Sequence, residues 1–167
     1  VTDGAAFSMT VDRAKAQALL DEAGRGDLVL PESVDGADIS ADALAVARIN
    51  VERHGLGARV HLVLSDLYRG LAGRRYDLIL TNPPYVDAHS MRALPREYRH
   101  EPRVALAGGP DGLALVRRIL LQGVEYLAPK GLLVCEIGRG RKALERAFPR
   151  TPFEWPETEA GTGQVFL

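Results

Sequence analysis

Cysteine is nearly absent: the 167-residue chain has one, Cys135. A lone thiol closes no internal disulfide and builds no multi-cysteine metal site. It fits a reducing compartment. Cys135 ends the apolar run Leu132-Leu133-Val134-Cys135 and reads as a buried strand residue. Aromatic residues make up only 6% of the chain, so an aliphatic core is expected. Neither charge dominates: 21 basic residues face 22 acidic ones, for a formal net charge of -1. Proteins that track the nucleic-acid backbone carry a clear positive excess. The balance therefore argues against that class and leaves room only for a local patch. No apolar run reaches the roughly 18 residues that mark a membrane span, and the first residues lack a signal-peptide core. The expectation is a soluble, cytoplasmic protein with no membrane partner.

What is present is an ordinary globular balance, with 46% hydrophobic and 26% charged residues. The length suits one domain, 1–167, with a sizeable core. Residues 11–23 (VDRAKAQALLDEA) read as a helix that Thr10 can cap, stopped by Gly24 and Gly26. An apolar run follows at 28–30. Residues 40–54 read as a second helix, with Ser40 as N-cap, Asp42 in the first turn and Leu44, Ala47 and Val51 on one face. Gly55 fits a left-handed C-cap position. Strands are expected at Val60–Leu64, 77–81 and 132–137. A helix is expected over 112–127, with Leu113, Val116, Leu120, Val124 and Leu127 on one stripe, then a turn at Pro129-Lys130-Gly131. A short helix at 141–148 precedes a C-terminal hairpin around Gly161-Thr162-Gly163. Apolar strands alternating with helices predict an α/β fold. Its sheet is mostly parallel, covered by helices on both faces, with one antiparallel edge.

The chemistry concentrates in residues 77–85, where an apolar strand runs into Asn82-Pro83-Pro84-Tyr85. In an open parallel sheet, ligands bind beyond the C-terminal strand ends, which places Asn82 at the rim of a site. An amide NH₂ is a poor nucleophile because its lone pair is delocalised. It must be held by both hydrogens for its nitrogen to rehybridise and attack a methyl carbon. The Asn82 carbonyl can accept one N–H, and a backbone carbonyl of the Pro-Pro run the other. The two prolines stiffen these acceptors in advance, and Tyr85 offers a flat ring for a planar group. A site built for two N–H donors rejects groups that lack them. Two acidic residues stand at other strand ends. Asp38 can accept from both hydroxyls of a ribose, or simply cap the following helix. Asp66, in Ser65-Asp66-Leu67, can reach an adenine amino group, or serve only the turn. The long irregular stretch between Pro83 and Pro110 suits function better than idle connection.

Residues 77–85 resemble the signature of class I, Rossmann-like methyltransferases acting on amide or exocyclic amino nitrogens. The resemblance extends over about residues 33–167. Asp38-Ile39-Ser40-Ala41-Asp42-Ala43, the run 94–102 (LPREYRHEP) and Asp111-Gly112-Leu113 onward are similar to protein-(glutamine-N5) methyltransferases. The run Glu97-Tyr98-Arg99-His100-Glu101-Pro102 is similar to the branch that modifies ribosomal protein uL3. The resemblance implies S-adenosyl-L-methionine as cofactor, held by Asp38, Ile39, Asp66, Leu67 and Asn82. It implies Asn82, Pro83, Pro84 and Tyr85 as the substrate-holding motif, with no metal. Arg99, His100 and Glu101 match a family segment without individual roles.

Two departures stand out. In the family a glycine-rich loop follows the first strand, but here Leu30 is followed at once by Pro31-Glu32-Ser33. Neighbouring parallel strands need a crossover, so about 20 residues are expected to be missing between Leu30 and Pro31. Their Cα atoms are then expected roughly 10 Å or more apart. Residues 1–23 also fall short of the family's small helical domain.

The leading reading is methylation of a protein glutamine, with uL3 as partner. An adenine-N6 methyltransferase on DNA or RNA shares the motif, but needs a basic face. Only Arg139, Arg141, Lys142, Arg146 and Arg150 cluster, as a solvated helix face would. An inactive ribosome-associated binding domain is the third reading.

Overall fold

A computed structural model describes residues 33–93, 103–158 and 161–167. The helix expected at 11–23, the run at 28–30, the Leu30–Pro31 junction and Arg99, His100 and Glu101 lie outside the described residues.

Strand β1 (Val34–Asp38) and β2 (Val60–Leu64) pair in parallel, from Val34 opposite Val60 to Asp38 opposite Leu64. Helix α1 (Ala41–Arg53) makes the crossover. Ser40 caps it, its Oγ accepting from the Ala43 N–H at 3.2 Å. Gly55 follows at φ +65, the left-handed position foreseen for it. The Leu44, Ala47 and Val51 stripe is half-buried and turned towards this strand pair.

Strand β3 (Tyr76–Thr81) pairs in parallel with β4 (Leu127–Glu136), from Leu78 opposite Leu132 to Thr81 opposite Cys135. The expected Pro129-Lys130-Gly131 turn lies inside β4 rather than before it. Tyr76 already pairs with Leu127, and the register shifts before Leu78 resumes with Leu132. Lys130 takes φ +67 to let the loop bulge.

Between them run the short helix α2 (Arg103–Leu106) and helix α3 (Ala114–Gly123). The helix expected over 112–127 is therefore trimmed at both ends. Gly112 takes φ +78 before it begins. At the other end the Tyr126 carbonyl accepts from the Tyr76 N–H at 2.8 Å, which draws the chain into β4. The helical period lapses there: Val116 and Ile119 are buried, whereas Val124 is 74% exposed.

Successive β4 side chains face opposite sides, as strand geometry requires. Leu133 and Cys135, with Ile137 just beyond, pack with Val116, Ile119, Leu144 and Phe166. Leu132 and Val134 pack on the other side with Leu78, Leu80, Val165 and Leu167. The aliphatic core also takes in aromatic contacts: Phe153 meets Phe166 at 5.0 Å, Trp155 meets Phe166 at 5.7 Å, and Tyr68 stacks on Tyr126 at 4.5 Å.

Helix α4 (Arg141–Ala147) leads into the C-terminal strands. Strands β5 (Glu157–Thr158) and β6 (Gly161–Thr162) pair antiparallel, so Gly161 and Thr162, expected at the turn of the hairpin, lie in one of its strands. Strand β7 (Val165–Phe166) runs antiparallel to β4 and supplies the expected edge.

The β1–β2 pair is tied to the β3–β4–β7 sheet at the strand starts. There Asp35 of β1 meets Arg74 at 2.6 Å and the Tyr76 hydroxyl at 2.7 Å. With the starts together, Asp38 and Asn82 stand at the opposite, C-terminal side of their strands.

Candidate functional site

The Asn82–Tyr85 motif follows directly on β3. Asn82 is exposed, whereas Pro83 is fully buried and Pro84 and Tyr85 are half-buried. One proline thus anchors the loop in the core while the neighbouring amide stays free to meet a ligand. The loop is held from behind by residues 106–112. The Val86 N–H donates to the Leu106 carbonyl at 2.9 Å, and the Gly108 N–H donates to the Val86 carbonyl at 2.8 Å. Gly112 lies so close that an added Cβ would strike the Tyr85 carbonyl. The Tyr85 hydroxyl reaches Glu136 Oε1 at 3.3 Å, and its ring edge lies against Gly138. At φ +55, Gly138 has no room for a side chain: a Cβ would come within 2.8 Å of Tyr85 Cε2.

Asp38 is 7% exposed at the end of β1. Its Oδ1 accepts from the Ser40 N–H at 2.7 Å, whereas its buried Oδ2 has no partner. The two oxygens therefore differ in what they do within the chain. The first turns the chain into α1. The second is a desolvated acceptor, and a buried acceptor left unpaired is costly unless something fills it. Ile39, beside it, is 57% exposed.

The Ser65-Asp66-Leu67 turn is held to β1 and folded on itself. The Ser65 N–H donates to the Asp38 carbonyl at 2.8 Å. The Ser65 hydroxyl donates to the Leu67 carbonyl at 2.6 Å and accepts from the Gly70 N–H at 2.8 Å. These bonds hold Leu67 at φ +51, an uncommon conformation for a branched residue. Asp66 Oδ2 is occupied by Arg118 of α3 at 2.9 Å. Asp38 thus ends β1 and Asp66 follows the adjacent parallel β2, the two strand ends being joined by one backbone bond, and Asn82 follows directly on β3 of the neighbouring sheet.

The sequence reasoning passed over Glu136, Gly138 and Arg118. The strand-end rule that singles out Asn82 also singles out Glu136, the last residue of β4. Arg118 carries no local signal, because its partner lies 52 residues away. Cys135 is buried, and burial pushes its thiol up, away from reactivity. In the basic cluster, Arg141 pairs with Glu145 at 2.9 Å and stacks over Trp155 at 4.7 Å. Arg146 donates to the Lys142 carbonyl, as on a solvated helix face.

Residues 27–97 match the family described as the methyltransferase small domain. A solved structure of the hMettl16 catalytic domain, bound to a hairpin of the MAT2A 3′UTR, superposes with a TM-score of 0.59 at 16% identity. That superposition covers 80% of this chain and 54% of the other. The fold is that of a class I methyltransferase. Two curated relatives are named ribosomal protein uL3 glutamine methyltransferase. The one from Neisseria gonorrhoeae is 54% identical over 134 residues, 80% of this chain and 44% of the relative. The one from Bradyrhizobium diazoefficiens is 55% identical over 134 residues, 80% of this chain and 42% of the relative. The methyltransferase resemblance read from the sequence is borne out, down to the uL3 branch. The chain spans less than half the length of these curated relatives.

Proposed function

We propose that this chain, as one catalytic domain, transfers a methyl group from S-adenosyl-L-methionine to a glutamine side-chain amide of ribosomal protein uL3, in the cytoplasm. The observation that carries the reading is the pairing of two strand ends. At one, a buried Asp38 oxygen lacks a partner. At the other, an exposed Asn82 stands on a buried Pro83. The names of the relatives support the substrate.

Asp38 Oδ2 fits a ribose hydroxyl, which would give that oxygen the donor it lacks. Ile39 offers exposed apolar surface to a flat base beside it. Asp66 and Leu67 line the adjoining strand end. When bound, S-adenosyl-L-methionine supplies an electrophilic methyl group on a sulfonium. The chain's own residues prepare the nucleophile. The Asn82 carbonyl and a carbonyl of the Pro83 region accept the two amide N–H groups and fix the nitrogen's orientation. Tyr85 packs against the planar group. Because Pro83 and the 106–112 strap hold this loop before substrate arrives, little is lost in ordering it on binding.

The test is transfer of radiolabelled methyl to unmodified uL3, with an adenine-containing oligonucleotide in parallel. Label is expected in uL3, on glutamine. Asn82→Ala should lower the rate on the order of 10²-fold, as loss of one preorganised polar group does. Label in the oligonucleotide instead, or an Asn82→Ala chain with normal turnover, would reject the assignment.

A further inference from the structure

We infer that Arg118 is a positioning residue of this site, holding the Asp66 carboxylate in the orientation that takes the amino group of the cofactor's adenine. The inference deepens the reading of Asp66 as a cofactor-side residue and rests on it. Asp66 stands in the turn that follows β2, and that turn sets its backbone. Ser65, before it, is bonded to the Asp38 carbonyl, the Leu67 carbonyl and the Gly70 N–H. The Asp66 carbonyl accepts from the Arg69 N–H at 3.2 Å. Backbone bonds do not decide where a side-chain carboxylate points, because it still turns about its own torsions. Arg118 acts on that freedom: its guanidinium donates to Asp66 Oδ2 at 2.9 Å. A carboxylate has about four lone-pair sites on its two oxygens, so Oδ1 can still accept from a ligand.

The arginine is presented by a helix docked on the same turn. Val116 and Ile119 bury one face of α3. Successive helical residues diverge by about 100°. Arg117 therefore turns back to Asp111, at 2.6 Å, while Arg118 reaches Asp66. Just beyond Arg118, the Ile119 carbonyl accepts from the Tyr68 hydroxyl at 3.4 Å, so a second bond joins the helix to the segment after Asp66. The ion pair itself contributes little to folding, since its side chains are 43% and 32% exposed and water screens such pairs. Its effect falls on the ligand instead. An acceptor oriented in advance spares the ligand the ordering of one side chain, about twofold to tenfold in affinity.

Calorimetry on the full chain tests this with two probes: S-adenosylhomocysteine, and its analogue with hydrogen in place of the adenine amino group. The wild type should prefer S-adenosylhomocysteine by about tenfold to a hundredfold, the range for a hydrogen bond to a charged group. Asp66→Ala should remove most of that preference. Arg118→Ala should reduce it by about twofold to tenfold. Arg118→Lys keeps a charged donor on a long stem and should restore most of it. The analogue should bind each variant as it binds the wild type, whereas damage to the fold would weaken both probes alike. The double variant of Arg118→Ala and Asp66→Ala should bind as Asp66→Ala does, because Arg118 acts through Asp66. An undiminished preference in Arg118→Ala, equal weakening of both probes, or a further loss in the double variant would overturn the inference. A wild type that binds both probes equally would overturn it too and leave the methyltransferase reading standing. A wild type that binds neither probe would strike the cofactor reading itself, and this inference with it.

Discussion

One Asp38 oxygen holds the Ser40 N–H and the other has no partner within the described residues, and a single substitution separates the two. Asp38→Asn keeps a carbonyl oxygen able to accept from the Ser40 N–H, so α1 should keep its start and the chain its Tm. The charge on the oxygen left unpartnered at 7% residue exposure disappears. A hydrogen bond to a charged group contributes about 1.5–3 kcal/mol, so calorimetry should find S-adenosylhomocysteine binding weakened by roughly that amount. Unchanged affinity would reduce Asp38 to its turn-forming role. At this scale the sequence was informative where chemistry and strand position coincide. Asn82 and Asp38 follow from their types and from standing where strands end. Glu136 obeys the same rule, but it follows a run that reads as core and precedes an ordinary Ile-Gly. Asp66 shows a different limit. Its position was legible, but its tie to Arg118 was not, because nothing local marks a partner half a fold away.

Between elements, the seam joining the two sheets depends on Asp35. Burial acts to raise its pKa, but bonds from Arg74 and the Tyr76 hydroxyl outweigh it and hold the carboxyl below its ordinary value. Burial and the same carboxylate push the Tyr76 phenol up to about 12. The sign for Asp35 follows from linkage. A folded-state pKa below the unfolded one adds stability that is fully present above about pH 4 and lost as pH falls through the folded value. Asp35→Asn should therefore cost about 1.5–3 kcal/mol near neutrality, the range for hydrogen bonds to a charged group. Denaturant titrations should show the gap between the two proteins narrowing as pH falls below about 4. A gap independent of pH would mean that packing, not the carboxylate, holds the seam. No pattern in the sequence announces this contact, since Asp35 and Tyr76 are 41 residues apart. Element types were legible from apolar periodicity, but boundaries were not. The stripe predicted to run on to Val124 and Leu127 stops at Gly123, because Tyr76 takes the Tyr126 carbonyl for the sheet. The turn predicted ahead of β4 lies within it for the same reason, since β3 begins pairing at Leu127.

At the scale of the whole molecule, charge separates a protein substrate from a nucleic-acid one. The net charge is -1, and several cations are already engaged by carboxylates. Arg74 pairs with Asp35, Arg117 with Asp111, Arg118 with Asp66 and Arg141 with Glu145. The Arg117 pair is firm enough to hold the Asp111 carboxyl down to about 2. Of the basic cluster, Arg139, Lys142, Arg146 and Arg150 have no carboxylate partner among the described residues, a smaller set than a phosphate-tracking face needs. A protein that neutralises six to ten phosphates releases their counterions, and loses about 10³–10⁵ in affinity between 50 and 200 mM salt. A surface of balanced charge releases few. The apparent KM of this chain for uL3 should therefore rise less than about tenfold over that salt range, and binding to a random oligonucleotide should be weak at its upper end. Steady-state transfer at both salt concentrations, with fluorescence anisotropy of a labelled oligonucleotide alongside, measures the two quantities. A steep loss of transfer with salt, matched by tight oligonucleotide binding at low salt, would show that phosphates supply the docking energy. The adenine reading of the Asn82–Tyr85 motif would then displace the glutamine one.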